Sequence, residues 1–155
     1  VDEAFTKFDA FTTQEGDALG TMLLNHNKII LDQLDPIESH EIARKGLVKD
    51  RLTAGLEDFR KDNKVDQNRF EQELIYYLEK LDIAEEKNRL KAHCELFDKE
   101  VRKGTNGKKL GFISQEMGRE INTLGSKAGF APMQELVIVM KEELEKIKEQ
   151  TLNVL

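Results

Sequence analysis

Tryptophan is absent from the 155 residues, there is one cysteine and there are two prolines. No stretch reaches the ~18 to 20 consecutive apolar residues that a membrane-spanning helix needs. The lone Cys94 excludes an internal disulfide, and without a second cysteine a structural zinc site is poorly supported. No glycine-rich loop ends in Lys-Ser/Thr and no His-Glu-x-x-His is present, which argues against P-loop nucleotide hydrolysis and a zinc protease. Cys94 does come directly after His93, but successive residues lie about 100° apart around a helix, a poor nucleophile–base arrangement. An excess of positive charge is missing as well: 24 Lys+Arg against 30 Asp+Glu leave a net charge of −6, which excludes a uniformly basic nucleic-acid coat but not a local basic patch.

What is present is a charge-heavy, foldable mixture, 35% charged and 39% apolar, rich in Glu, Lys and Leu, all good helix formers. These features predict a reduced, soluble, cytoplasmic protein with no membrane partner. Val1 opens without Met or a leader and runs at once into a helical pattern, so the expectation is a piece of a longer protein.

Apolar spacing supplies the organisation. Ala4, Phe8, Phe11, Ala18, Met22 and Ile29 define a long first helix that should stop near Asp35-Pro36. A second, over about 37–60, turns Ile42, Leu52, Leu56 and Phe59 toward a core and ends in Lys61-Asp62-Asn63-Lys64. A third starts near Asp66 or Asn68, shows Phe70, Leu74, Tyr77, Leu78 and Leu81, and pauses at Asp82, which can cap the next helical stretch. Ile83, Leu90, Leu96, Phe97 and Val101 carry the stripe on to the Gly104-Thr105-Asn106-Gly107 linker. The next helix turns Leu110, Ile113, Met117, Ile121 and Leu124 inward and should end at Gly125 or Gly129 in a left-handed conformation. From Pro132 the seam Met133, Val137, Met140, Leu144, Ile147, Thr151, Val154 packs on another helix, of this chain or of a second subunit. The expectation is an all-α, elongated bundle of about five helices, with residues 1–62 an antiparallel pair and 66–155 a second region.

Candidate chemistry lies on polar stripes. Glu116 and Glu120 sit one turn apart; either a hard divalent cation such as Mg²⁺ or Mn²⁺ relieves their repulsion, or Arg119, Arg102 or Lys127 neutralises them. Gln115, Arg119, Asn122 and Ser126 form the neighbouring stripe. Glu86, Arg89 and His93 share a face, gathering a carboxylate, a guanidinium and an imidazole that can move protons, unless the histidine is structural; His26 and His40 have no gathered partners. Residues 57–86 hold ten acids against five bases, whereas residues 99–109 hold five bases (Lys99, Arg102, Lys103, Lys108, Lys109) against Glu100, a net of +4 that can clamp phosphates or simply be solvated.

The block Lys109-Leu110-Gly111-Phe112-Ile113-Ser114-Gln115-Glu116-Met117-Gly118-Arg119-Glu120-Ile121-Asn122-Thr123-Leu124-Gly125-Ser126-Lys127 resembles the C-terminal signature of the YicC/YloC family of bacterial endoribonucleases, with Gly118 where an asparagine is expected. Arg69-Phe70-Glu71-Gln72-Glu73-Leu74, Asp82-Ile83-Ala84-Glu85-Glu86, Arg89-Leu90, His93 and the closing helix Met140–Gln150 with Asn153 are similar to it too. The resemblance implies RNA cleavage, including of small regulatory RNA, dependence on a divalent metal, a ring-like homo-oligomer in the cytoplasm, and an N-terminal region that this chain lacks. On matching positions the chemistry points to His93 and Glu86 as catalytic, Glu116 and Glu120 as metal-holding, and Arg89, Arg119, Lys127, Asn122, Lys108 and Lys109 as RNA-binding. The rivals are a noncatalytic helical module for oligomerisation or partner docking, and RNA binding without cleavage.

Overall fold

Short polar side chains meet backbone N–H groups at the start of three helices. Asp66 accepts the N–H groups of Asn68 and Arg69, Asp82 that of Ala84, and Asn106 that of Lys109. This computed structural model, which describes the backbone of residues 2–62 and 66–154 and the side chains of 16–61 and 66–154, contains six helices: α1 (Asp2–Asp32), α2 (Leu34–Asp62), α3 (Gln67–Leu81), α4 (Ala84–Arg102), α5 (Gly107–Lys127) and α6 (Ala131–Thr151). No strand occurs among the described residues, so the all-α expectation holds, although the helix count differs. Only Gln33 separates α1 from α2 and only Asp82–Ile83 separate α3 from α4; joined across those breaks, the helical runs number four. None of the helices, over the described residues, is long and apolar enough to cross a membrane.

α1 stops at Asp32, three residues before the expected Asp35-Pro36, and Asp32 is the residue whose carbonyl Pro36 cannot bond. Pro36 itself sits in the first turn of α2, where a missing N–H is tolerated. Of the two expected stops, Gly125 lies inside α5 and Gly129 directly follows its Ala128 cap, but without the expected left-handed conformation: Gly104 is the one described residue with positive φ, at 72°. Gly104 closes α4 in a Schellman turn, with its N–H on Val101 O and that of Thr105 on Glu100 O.

α1, α4, α5 and α6 surround one core in an up-down arrangement. Asn27 on α1 donates to Cys94 O and to Asp98 Oδ1 on α4, which runs antiparallel to it. α5 and α6 are antiparallel and close. A Cβ on Gly118 would lie 3.3 Å from Leu144 Cδ2, and one on Gly125 would lie 3.2 Å from Val137 Cγ1, so side-chainless positions are what let this pair approach. The α6 seam from Met133 to Thr151 is buried within this chain, as are the five inward residues expected of α5; the seam's partners are α5 and α1. The α1 stripe is misplaced. Ala18 and Met22 are exposed, and Leu23, Asn27 and Ile30 are buried instead; the side chains of Ala4, Phe8 and Phe11 lie outside the described residues.

α2 and α3 form an arm. Ile37, Glu41 and Arg44 are buried where α2 leaves the bundle, but no described residue beyond Arg44 in α2, and none in α3, is buried. Of the four residues expected to face a core in the second helix, Ile42 and Phe59 are exposed and Leu52 and Leu56 half-buried. α1 packs chiefly on α6 and α4, and less on α2. The connection at residues 63–65 lies outside the described residues.

Candidate functional site

Glu86 stands in the first turn of α4, where the helix dipole favours an anion. Its carboxylate is almost fully buried. Lys127, at the last residue of α5, places Nζ 2.6 Å from Glu86 Oε1 and 3.2 Å from Asp82 O, while Glu86 Oε2 has no partner among the described residues. At the opposite end of the same helix pair, the buried Glu100 accepts hydrogen bonds from Thr105 Oγ1 at 2.6 Å and Lys109 Nζ at 3.2 Å and ion-pairs with Lys103 Nζ at 3.7 Å. The hydrogen bonds from Thr105 and Lys109 hold its carboxyl below the usual carboxylate range, against the opposing effect of desolvation.

These two ion pairs set the register of α4 against α5. His93 lies seven residues from Glu86 and seven from Glu100, and the midpoint of Lys127 and Lys109 is residue 118. His93, half-buried, is therefore level with the segment Glu116–Glu120, whose two carboxylates belong to the α5 strip that also carries Lys109 and Lys127 along the seam. Glu116 is half-exposed and pairs with Arg119 at 3.4 Å; Glu120 is half-buried. Arg89 ion-pairs with Glu85 on the outer lip of α4, and Asn122 and Lys108 are exposed on the outer side of α5.

By helical register alone His93 stands at the height of Glu116–Glu120 across the α4–α5 seam, while Arg89 and Arg119 are engaged in ion pairs within their own helices, with Glu85 and Glu116. The fold does not gather His93 with a free Glu86: seven helical residues, about 10 Å, separate them, and the carboxylate is engaged by Lys127. Lys127 and Lys109 are likewise occupied by buried carboxylates.

No group of three or more His, Cys, Asp or Glu residues suited to a metal occurs among the described residues. Glu116 and Glu120 form a pair, with Arg119 competing for one of them. Such a pair suits Mg²⁺ or Mn²⁺ held through one or two carboxylates, with water and phosphate completing the shell, and does not suit a closed, all-protein site.

Three polar features escaped the sequence reading. Arg44 donates to Lys127 O at 2.6 Å and to Leu81 O, placing a cation on the C-terminal carbonyls of α5 and α3, and its Nε has no partner among the described residues. Lys87 and Lys45 both reach Glu41; desolvation pushes that carboxyl up, but their hydrogen bonds outweigh it and the net shift is downward. His26 Nδ1, far from partnerless, lies 2.6 Å from Glu143 Oε2, and Lys146 lies 2.9 Å from Glu143 Oε1. For Glu143 too, desolvation raises the carboxyl and the hydrogen bonds from Lys146 and His26 more than offset it. The sequence separations of 83, 37, 46 and 117 residues leave no local signal for the contacts of Arg44, of Lys87 with Glu41 or of His26 with Glu143, whereas Lys45–Glu41 and Lys146–Glu143 are helical neighbours four and three residues apart. Cys94 is buried, and desolvation, with Asp98 and Glu95 nearby, pushes its thiol up to about 12, so it stays protonated and inert as a nucleophile.

Fold and site together define an up-down helical bundle with an arm of two helices and a seam of charged side chains between its second and third bundle helices. The chain belongs to the family described as endoribonuclease YicC-like, C-terminal, whose model matches residues 37–155. It is 31% identical over 156 aligned residues to a Clostridioides difficile protein named "Probable endoribonuclease YicC", covering 99% of this chain and 53% of that one. A Haemophilus influenzae protein of the same name is 32% identical over 153 residues, covering 98% of this chain and 53% of the relative. The chain thus spans about half the length of the curated relatives it matches.

Proposed function

We propose that this chain carries the RNA-cleaving groove of a metal-dependent endoribonuclease, built along the α4–α5 seam. What supports this most is the pair of seam contacts Glu86–Lys127 and Glu100–Lys109, from which helical geometry puts His93 at the height of Glu116 and Glu120. His93 moves the proton between the attacking and leaving oxygens of the phosphodiester. Arg89, Arg119, Asn122 and Lys108 meet the RNA backbone. Glu86, Lys127 and Lys109, occupied in buried pairs, hold the groove in register rather than touching substrate. Glu116 and Glu120 would hold a divalent cation, directly or through water, and when bound it stabilises charge on the phosphodiester oxygens. The relatives' printed name is in keeping with RNA as the substrate.

The test is cleavage of a structured RNA by this chain with Mn²⁺, followed on denaturing gels. His93→Ala should lower the rate by about 10²–10⁴-fold, and Glu116→Gln/Glu120→Gln should abolish stimulation by Mn²⁺. Undiminished cleavage by the double variant removes the metal assignment. No cleavage by the unsubstituted chain favours the second reading, a noncatalytic oligomerisation or docking module. One observation speaks for that reading: the arm leaves Ile42, Leu47, Phe59, Ile75, Tyr76 and Tyr77 exposed.

A further inference from the structure

Phe112 is 57% exposed on a helix that buries its other large apolar residues, Leu110, Ile113, Met117, Ile121 and Leu124. Folding of this chain therefore gives no account of an aromatic ring at that position. Lys108 and Arg119, four residues before and seven after it, share its strip of α5; Arg119, though paired with Glu116 at 3.4 Å, keeps most of its side chain accessible. On the facing lip of α4 lies Leu96, 41% exposed, and Lys103 on the same lip shares the single buried Glu100 with Lys109, so that one acid faces two cations. Lys108 makes no ion pair among the described residues.

We propose that Phe112 is a base-stacking residue and that the α4–α5 groove takes unpaired nucleotides, one base lying on the Phe112 ring while the neighbouring phosphates meet Lys108, Lys103 and Arg119. This rests on the RNA reading above and specifies the form of RNA. An aromatic face rimmed by cations complements a base flanked by phosphates, the pairing that single-strand binders use without regard to sequence. A paired duplex offers the same phosphates but keeps its base faces stacked inside. An apolar protein partner would have to strip water from the flanking cations as it covered the ring.

Because the chain has no tryptophan, Phe112→Trp installs a single reporter at the proposed contact. A fluorescein-labelled oligouridylate should bind this variant and quench its emission, and a blunt RNA duplex of the same length should leave the emission unchanged. Phe112→Ala should weaken oligouridylate binding by about 5- to 150-fold with the salt dependence unchanged, since stacking neutralises no phosphate. Lys108→Ala should instead reduce the slope of log affinity against log salt by about one. The proposal is overturned if Phe112→Ala binds as tightly as the parent, if the parent binds no oligouridylate at low salt, if duplex quenches the emission of the Phe112→Trp variant equally, or if that emission shifts with protein concentration alone, which would mark a protein–protein contact. Cleavage is scored separately, so that a failed stacking residue and a failed nuclease reading give different results.

Discussion

Lys127→Met removes the cation from a carboxylate that is nearly inaccessible and already has one unpartnered oxygen. Breaking a fully buried pair costs about 3–5 kcal/mol and an exposed one about 0–1. Glu86 has 9% of its side chain accessible and Lys127 33%, so the pair lies between these cases and nearer the buried one. The expected loss is about 2–3 kcal/mol, or a fall in Tm of about 4–12 °C for a domain of this size. Adding Glu86→Leu should recover about 1 kcal/mol or more, since the double variant leaves no buried charge behind. The assay is urea denaturation of the parent, both single variants and the double variant, followed by circular dichroism at neutral pH. A Lys127→Met variant within about 0.5 kcal/mol of the parent, or strictly additive effects, would refute the reasoning and with it the register on which the groove depends.

The glycines of α5 give a contrasting pair: Gly118→Val overfills the gap against Leu144 and should cost about 1–3 kcal/mol, whereas Gly111→Ala, with nothing within 4 Å, should be neutral or raise stability by up to about 1 kcal/mol in thermal melts. Cys94 should resist a thiol reagent at pH 8 in the folded protein and react at once in denaturant; rapid labelling of the native form would contradict its burial. Glu41, Glu100 and Glu143 titrate below 4.5 when folded, so between that value and their folded pKa values the unfolded chain binds more protons. The stability they contribute is therefore complete above about pH 4.5 and is lost as the pH falls through their folded values. Flat denaturation midpoints from pH 5 to 3 would contradict this.

The stripes of α5 and α6 were legible because their apolar residues repeat at the helical period and all turn inward. On α2, Ile42 and Phe59 also repeat but face solvent: periodicity reveals that a face exists, not what covers it. In α1 several alternating spacings fit one long helix, and only packing against α4 and α6 selects Leu23, Asn27 and Ile30. The α6 seam could not name its own partner, which proved to be this chain. At the site, the shared face of Glu86, Arg89 and His93 was readable from spacing. That Lys127, 41 residues away, occupies Glu86 was not, and neither were the contacts of Arg44 or of His26 with Glu143. Gly125 looked like a helix breaker and Gly118 like a lost polar position, and their role as points of close approach depends on a helix that comes after them in the chain.

The chain has three histidines, so an imidazole-resolved NMR spectrum during titration with Mn²⁺ reads the groove against two internal controls. His93 should broaden first, with His26 and His40 remaining sharp, and Glu116→Gln/Glu120→Gln should remove the effect. Earlier broadening of His26, beside Glu143, or equal broadening of all three would contradict this.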